Sequence, residues 1–416
     1  MPSDRTTVTE LGTGLGMLGL TDIATAVQSR TPVMHSLSPE MWDRLDGLRR
    51  GGAYDPEFHA AWANGQAFLA ARDGLRGRPP VLVEWKGTGR APGDEVAPID
   101  LRVDHVYLVS CKYLSNILFN VSPAHVFDSL LVTGQNRGGR VARDVQPGGG
   151  DWFAEVAPRR YQALYEVVRA AAGAEGPRGA MTSPAAAGGT EATGRSPRSG
   201  KAGSNGRGRG AVELPGFGTG DATSAPVAAG TTRTARAVVG GLPARAVDLT
   251  SPQRDALRRW LKPGWPGGAK DLYVALSDEV AKESVRRWEA ALALGGGGGG
   301  GGGGGEAMLW RLLRVGSAPY FVLGSSSARS LRLRIATSWD WRQQFTLVSL
   351  NLEPQSGGQP RVGWNALVRD RVTHELHEVA GHIEVRWSHG RFGGLPEAKG
   401  YLDTPHHLVP GYFMLR

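Results

Sequence analysis

Two stretches with few or no large apolar side chains limit what the rest of this chain can fold into. Residues 173–247 consist mainly of Ala, Gly, Ser, Thr, Pro and Arg, and residues 295–305 are an uninterrupted run of glycine. Neither stretch can bury enough apolar surface to offset the entropy of ordering it. We therefore expect a disordered linker over the first and a poly-glycine tether over the second, and the folded parts must come from the remaining residues.

The remaining residues fall into four segments with different patterns. Residues 1–36 are rich in Gly and Thr and have little periodicity, which indicates a flexible N-terminal segment. Residues 37–172 mix amphipathic helices with short strands and predict an α/β domain, and residues 248–294 predict a helical segment. Residues 306–416 contain short strand-like runs separated by turns, which predict a β-rich C-terminal domain.

The charge of the chain indicates the class of its partners. The formal net charge is +9 and the isoelectric point is about 9.9. A basic surface favours polyanions, and we expect nucleic acid rather than a membrane. No apolar run in the sequence approaches the ~20 residues of a membrane span.

The cysteine content and the first residues indicate the compartment. Cys111 is the single cysteine, which excludes an internal disulfide and is typical of a reducing environment. The first residues do not show a charged region followed by a long apolar core, so we expect no secretory signal and a cytoplasmic protein.

Three short strand-like stretches carry the most specific pattern of charged residues, and they read VLVEWK, PID and SCK in chain order. Side chains two apart on a strand point to the same face, so Ser110 and Lys112 share a face, as do Glu84 and Lys86. If Asp100 begins the strand that pairs with the strand of Lys112, its carboxylate lies beside Ser110 and Lys112.

This arrangement contains the groups that metal-dependent hydrolysis of a phosphodiester needs. Glu84 and Asp100 supply carboxylate oxygens that suit Mg²⁺ or Mn²⁺, and we expect these two residues to be the metal ligands. The metal would stabilise charge on the scissile phosphate and acidify a water. Lys112 would position that water or neutralise the phosphate, and Ser110 would hydrogen-bond a water or a phosphate oxygen.

The same residues resemble the motif of the PD-(D/E)XK nuclease superfamily, to which many restriction endonucleases belong. Asp100 stands at the position of the PD aspartate and Lys112 at that of the motif's lysine. The resemblance covers about residues 55–170, where the predicted order is helix, three strands, helix, strand and helix. It implies a restriction endonuclease-like core, a mixed sheet flanked by helices. The implied activity is that of a Mg²⁺-dependent DNA endonuclease in restriction or defence, working as a homodimer.

The chain departs from the family at Ser110, where the motif has an acidic residue. Three carboxylates are candidates to replace it, and they are Glu84 on the preceding strand, Asp128 on the following helix and Glu57 on the preceding helix. We favour Glu84, because apolar strand residues flank it. The missing acid also leaves an alternative open, in which the protein binds nucleic acid through a degenerate nuclease core without catalysing its cleavage.

Cations interleaved with aromatic residues in the C-terminal segment indicate a nucleic-acid surface. In the sequence RWSHGRF, Arg386 directly precedes Trp387 and Arg391 directly precedes Phe392. Such pairs contact phosphates and stack on bases, although arginine also covers tryptophan on ordinary β surfaces. We expect Arg386, Arg391 and the strand residue Lys86 to contact DNA.

Two further patterns in the C-terminal segment suggest metal chemistry. Its histidines are numerous, and they are His374, His377, His382, His389, His406 and His407. They support a third hypothesis, a zinc or manganese hydrolase centred on this tail. Glu397 and Lys399 form a second ExK pattern with Glu384 upstream, which is a lower-ranked candidate nuclease site.

Overall fold

A computed structural model describes residues 3–87, 99–113, 117–129, 150–175, 241–295, 304–326, 329–356 and 358–416, and the structural statements below concern these residues. Most of the predicted linker and most of the predicted glycine tether lie outside the described residues. In the parts of those ranges that are described, one helix runs to Glu175, another ends at Gly295 and a third begins at Gly304.

The helices of the described residues precede, connect and cover two β-sheets. In chain order they are α1 (Asp4–Gly16), α2 (Ile23–Ser29), α3 (Pro39–Arg50), α4 (Asp55–Ala70), α5 (Trp152–Val156), α6 (Pro158–Glu175), α7 (Ser251–Trp260), α8 (Ala269–Gly295), α9 (Gly304–Leu313) and α10 (Ser338–Gln344). A π-helical turn spans His125–Ser129, and 3₁₀ turns span Ala246–Asp248 and His406–Leu408. No helix among the described ranges combines the length and the apolarity that crossing a bilayer requires.

The strands are short in the first half of the chain and longer in the second. In chain order they are β1 (Met34–His35), β2 (Val83–Trp85), β3 (Leu101–Val103), β4 (Tyr107–Tyr113), β5 (Ile117–Val121), β6 (Tyr320–Ser326), β7 (Arg329–Ile335), β8 (Phe345–Ser356), β9 (Pro360–Asp370), β10 (Leu376–Trp387), β11 (Pro396–Leu402) and β12 (Tyr412–Met414).

The first sheet, sheet A, has seven strands in the order β1-β2-β3-β4-β6-β7-β12. Strands β2, β3 and β4 form an antiparallel meander, whereas β6 runs parallel to β4. A parallel neighbour requires a crossover connection, and here the connection between β4 and β6 contains α5 to α9 and β5. Sheet A is therefore mixed, and the overall class is mixed α/β as the sequence predicts.

The second sheet, sheet B, has five antiparallel strands in the order β5-β11-β10-β9-β8. Its composition corrects the predicted division into an N-terminal domain at 37–172 and a separate C-terminal domain at 306–416. The latter region is rich in strands, but β6, β7 and β12 complete sheet A, and β5 from the first half pairs with β11. Alternation of apolar and polar residues predicts that a strand exists but does not predict which strand it pairs with. The predicted domain boundaries differ from the observed sheets for this reason.

Two apolar cores lie on the two faces of sheet A. Helices α1 to α4 pack on one face in the smaller core, which includes Leu11, Phe68 and Val109. The larger core contains Tyr320 and Ile335 from the other face together with residues of α5 to α9 and of sheet B. The sequence predicts a strand between the last two helices of residues 55–170, at about residues 151–156, but these residues form the helix α5, in which Trp152 and Phe153 are buried in this larger core.

The N-terminal segment corrects the expectation of flexibility for residues 1–36. Helix α1 is buried along most of its length and packs against α4. A side chain on Gly16 or Gly65 would collide with the backbone of the opposite helix, so the two helices touch through their main chains. Glycine lowers helix propensity, which is why the sequence suggests flexibility, but close packing compensates for that cost.

Candidate functional site

The β3–β4 hairpin brings Asp100, Ser110 and Lys112 to one face of sheet A. Leu101 pairs with Val109, and both side chains lie in the smaller core. Side chains alternate along a strand, so Asp100, Ser110 and Lys112 point to the opposite face of sheet A. The Asp100 carboxylate oxygen Oδ2 accepts hydrogen bonds from Ser110 Oγ at 3.1 Å and from the backbone N–H of Cys111 at 2.6 Å.

A tight turn sets the register of this hairpin. Asp104 and His105 have φ angles of 49° and 59°, in the left-handed region that hairpin turns require. The Asp104 carboxylate also accepts hydrogen bonds from the backbone N–H groups of Val81 and Leu82, at 2.8 and 3.0 Å. The turn is therefore fastened to the chain segment that enters β2, and it keeps the three strands in one register.

The surroundings shift the ionisation of the two central charges in opposite directions. Asp100 and Lys112 are both half-buried. Desolvation raises the pKa of the Asp100 carboxyl, and the positive charge of Lys112 opposes that change. Desolvation lowers the pKa of the Lys112 ammonium, Asp100 opposes this, and Arg314 lowers it further. A lysine with a lowered pKa is a better proton acceptor near neutral pH than an ordinary lysine.

Residues distant in sequence complete the site. Ser110, Lys112, Arg314, Tyr320 and His406 are among the residues around a cavity of about 20 Å³. A cavity of ~10–15 Å³ is enough for one water molecule, so one water fits in this cavity. Burial raises the pKa of the Tyr320 phenol and lowers that of His406. Arg314, Tyr320 and His406 were not singled out from the sequence as members of this site, because they lie about 200 or more positions away from Ser110.

Arg314 is the most unusual of these residues. It is 5% exposed, and its Nε, Nη1 and Nη2 atoms make no hydrogen bond of normal geometry with the residues that the structure describes, although the Tyr320 hydroxyl and the Asp100 carboxylate lie close enough to interact with its charge. Its guanidinium lies over the Phe119 ring, 5.8 Å from the centroid, and its φ of 63° is rare for a residue other than glycine. Burying a cation without hydrogen bonds is costly, so a guanidinium held this way favours an anionic ligand.

Glu84 lies on the same sheet face as Asp100 but is engaged by cations. It faces Arg102 across the β2–β3 pair, and its carboxylate lies 3.0 Å from Lys86 Nζ and 3.7 Å from Arg102 Nη1. Asp100 is the diagonal neighbour of Glu84 across this pair, a relation that separates side chains by roughly 7–8 Å. A metal between the two carboxylates would therefore compete with Lys86 and Arg102 for Glu84.

The other two candidate carboxylates have different partners. Glu57 belongs to α4, in the layer on the opposite face of sheet A, and forms an ion pair with Arg5 at 2.9 Å. Asp128 lies in the π-helical turn and pairs with Arg287 of α8 at 3.1 Å. Among the three candidates, only Glu84 shares the strand face of Asp100.

The predicted nucleic-acid contacts differ in accessibility. Lys86 has only 8% of its side chain exposed and is held by Glu84, so its position does not favour contact with a phosphate backbone. Arg386 is partly exposed and lies 3.5 Å from Glu384. Arg391 donates a hydrogen bond to the Leu261 carbonyl oxygen at 2.8 Å and lies over the Trp265 ring.

The histidine-rich tail does not assemble a metal centre in the described ranges, where no group of three or more His, Cys, Asp or Glu side chains is placed to hold an ion. His382 Nδ1 instead lies 2.9 Å from Asp403, and its ring stacks on Tyr401. The second ExK pattern forms ion pairs, in which Glu397 binds Lys399 at 2.9 Å and Glu384 binds Arg361 at 3.0 Å.

Asp100 offers a carboxylate to a hard cation, but the described residues place no group of three or more His, Cys, Asp or Glu side chains around it. Magnesium in phosphoryl-transfer sites is held by one or two carboxylates, several waters and the substrate phosphate. Asp100 supplies one carboxylate and Ser110 a hydroxyl, and Glu84 is the nearest described candidate for the second. The nearby charges of Lys112 and Arg314 disfavour a cation that arrives alone and favour one that arrives with a phosphate.

Comparison with known proteins adds no relative to this picture. No protein-family model matches the chain, and no curated protein or solved structure gives a significant match.

Proposed function

We propose that this protein is a metal-dependent nuclease that hydrolyses phosphodiester bonds in DNA. One observation carries the proposal, namely that Asp100, Ser110 and Lys112 share one sheet face and that Ser110 and Lys112 also line a cavity that fits a single water. In this proposal Asp100 is the carboxylate that binds the metal, Lys112 is the lysine with a lowered pKa, and the cavity holds the nucleophilic water. Charge balance points to a phosphate as the substrate group, because the buried Arg314 adds a second cation to that of the half-buried Lys112.

The strand topology supports the same proposal. The resemblance to the PD-(D/E)XK superfamily implies three strands, a helix and a fourth strand in one mixed sheet flanked by helices. Here β2, β3 and β4 form the meander and β6 is the parallel fourth strand. The fourth strand comes from residues 320–326 rather than from the region near residue 151, so the core would be assembled across a long insertion.

Each residue has a distinct role in this proposal. A bound Mg²⁺ supplies charge stabilisation to the phosphate and acidity to a water. Asp100 holds that cation, and Ser110 fixes the carboxylate through its 3.1 Å hydrogen bond. Lys112 orients the attacking water and accepts its proton, for which its lowered pKa is suited. Arg314 binds a non-bridging phosphate oxygen and neutralises the charge that builds up there.

A second function has one observation in its favour. Lys112 and Arg314 together carry more charge than Asp100 neutralises, and Glu84 is already paired with Lys86. Such a site binds a phosphate without a metal ion. A protein that recognises nucleic acid through this core without cutting it is therefore the alternative, as the serine at position 110 also suggests.

Plasmid cleavage with Mg²⁺ or Mn²⁺ tests the proposal. We expect the unmodified protein to nick or linearise DNA, and we expect Lys112→Ala and Asp100→Asn to lower the rate by about 100-fold or more. Lys282→Ala is the matched control, because Lys282 is an exposed lysine on α8 that pairs with Asp278, and it should cleave like the unmodified protein.

The two functions give different results in a paired binding assay. Tight binding of DNA in EDTA without cleavage of methylated, unmethylated or single-stranded DNA in Mg²⁺ or Mn²⁺ would reject the nuclease and support the binding protein. Cleavage that persists in both Lys112→Ala and Asp100→Asn would reject this site as the catalytic centre.

A further inference from the structure

A second strongly charged site lies apart from Asp100, in a half-open cleft of about 870 Å³. We call it the basic cleft and define it by the six cations that line it, Arg258, Arg259, Lys262, Lys270, Arg386 and Arg391. No Asp or Glu is among its lining residues. Its walls are the end of α7, the connection to α8, the first turn of α8 and the turn that follows β10.

Ordinary structural roles account for only some of these cations. Arg258 and Arg259 end α7, where positive charge is favourable next to the C-terminal carbonyl groups. Lys270 is the second residue of α8, where the helix dipole disfavours a cation. A lysine at that position is therefore not explained by the stability of its own helix and indicates an external anion.

The cations of the cleft also differ in how they are held. Arg259, Lys262 and Lys270 are exposed, and none forms an ion pair with a residue that the structure describes. Arg391 and Arg386 are fixed by contacts with Leu261 and Glu384. The cleft thus combines three unneutralised charges at its rim with two anchored arginines, as expected of a surface that follows a chain of phosphates.

Aromatic rings form the floor of the basic cleft. Trp265 and Tyr273 pack with ring centroids 4.9 Å apart, and Tyr273 stacks on Trp387 at 5.7 Å. Val274, which is 43% exposed, adds apolar surface beside them. Tyr273 and Trp387 are buried, whereas Trp265 is partly exposed and has the Arg391 guanidinium 5.0 Å from its ring centroid. This packing holds Trp265 in place, so contact between Trp265 and a base costs little entropy.

The shape of the cleft favours single-stranded over double-stranded nucleic acid. Proteins that read duplexes insert a helix or a strand ribbon into a groove, whereas here the charged surface is concave. A volume of about 870 Å³ is in the range of small-ligand sites, roughly 300–1,000 Å³, and it suits a few nucleotides of a single strand.

We propose that the basic cleft binds single-stranded nucleic acid. In this proposal Arg259, Lys262 and Lys270 contact the phosphates, and Trp265 on the floor of the cleft contacts the bases. This site is separate from the proposed hydrolytic centre. Trp387 of the cleft pairs with Pro396 at one end of β11, whereas Tyr401 at the other end pairs with Ile117, which borders the Lys112 cavity. The five residue steps from Pro396 to Tyr401 correspond to roughly 17 Å.

Fluorescence anisotropy with labelled oligonucleotides in EDTA tests the proposal without any cleavage. We expect Lys262→Ala/Lys270→Ala to weaken binding of a single strand about tenfold at low salt. The slope of log K against log[salt] should become shallower by about 1.4, because each phosphate contact on a single strand contributes about 0.7. Arg72→Ala/Arg78→Ala is the control with the same change in net charge, made at exposed positions outside the cleft, and it should leave the slope unchanged.

Parallel titrations separate the possible ligands. Single-stranded DNA and single-stranded RNA of the same length show which polymer is preferred. The proposal is supported if Lys262→Ala/Lys270→Ala weakens binding of either polymer more than the control variant does. Equal losses in the cleft variant and the control would overturn it, as would duplex binding that is tighter than single-strand binding and insensitive to Lys262 and Lys270. Because the assay contains no divalent metal, its outcome is independent of whether Asp100 and Lys112 hydrolyse DNA.

Discussion

At the scale of single residues, the site around Asp100 brings together charged side chains whose burial would be costly without a partner of opposite charge. Asp100 and Lys112 stabilise each other's charged forms, and Arg314 pushes the pKa of Lys112 down. Among the described residues, the buried Arg314 guanidinium interacts with the Tyr320 hydroxyl and the Asp100 charge but makes no hydrogen bond of normal geometry, which lowers the stability of the fold. Buried charges that destabilise a fold are common at sites where a bound ligand supplies the opposite charge. We therefore regard Arg314 as part of the functional site.

Replacing Arg314 should move the pH dependence of cleavage. The positive charge of Arg314 lowers the pKa of Lys112, so Arg314→Gln raises that pKa. If the neutral amine of Lys112 is the active form, the pH at which the rate reaches half its maximum should rise in the variant. The maximal rate should also fall, by about tenfold or more, because a charge on the phosphate is no longer neutralised. Rates measured across pH would show both effects.

Two further variants control this experiment. Arg314→Lys keeps the charge and should restore the midpoint of the pH profile, and Arg72→Gln removes an exposed arginine and should change nothing. An Arg314→Gln profile with an unshifted midpoint would show that Arg314 does not act on Lys112, whatever happens to the rate.

At the scale of elements, the packing of α1 on α4 holds the layer beneath the β2–β4 meander in place. Gly16 and Gly65 bring the two helix backbones into contact. The Trp85 indole of β2 donates a hydrogen bond to Glu10 of α1 at 2.7 Å, so the helix is also tied to the sheet. Small residues thus fix the distance between α1 and α4, and the position of the strand that carries Glu84 depends on it.

Gly65→Ala should destabilise the protein, although alanine is the better helix former. A Cβ at this position would meet the Thr13 carbonyl oxygen and would lie 2.8 Å from Gly16 Cα, and both are backbone atoms that cannot turn aside. We expect a loss of about 1–3 kcal/mol, measured by urea denaturation.

Gly47→Ala is the matched control for Gly65→Ala. Gly47 lies inside α3, and a Cβ there would meet nothing within 4 Å. We expect this variant to gain about 0.5–1 kcal/mol from helix propensity. Equal effects of the two substitutions would contradict the close contact between α1 and α4.

At the scale of the whole molecule, the two halves of the chain are interleaved. Strand β4 from the first half pairs with β6 from the second along six residue pairs, and β5 pairs with β11. Helix α8 packs against α6 of the first half and against β8 and β9 of the second. Each half would expose sheet edges and a large apolar surface without the other.

Fragments 1–175 and 241–416 should therefore fold only together. Expressed alone, each should be insoluble or lack a cooperative thermal transition, because unpaired edge strands and open core faces aggregate. Co-expressed, they should form a soluble one-to-one complex that co-purifies through a tag on one fragment. A cooperative unfolding transition for either fragment alone would contradict the interleaved fold and would favour the two-domain organisation that the sequence suggests.

The sequence by itself determines the local part of the site. Alternation along the SCK strand places Ser110 and Lys112 on one face, and the short connection through Asp104 and His105 brings Asp100 opposite them. These relations depend on residues within about a dozen positions of one another, and strand geometry converts such spacing directly into proximity. The mixed α/β class follows from the same local patterns.

Only the tertiary structure decides which distant residues join that site and how the halves combine. Arg314 and His406 reach Lys112 because β6 pairs with β4 and because the chain returns to sheet A before β12. The burial of α1 also cannot be predicted from its own Gly- and Thr-rich sequence, because it depends on the close contact with Gly65 in α4. Pairing and packing across long separations are selected by the whole core, and no local pattern encodes them.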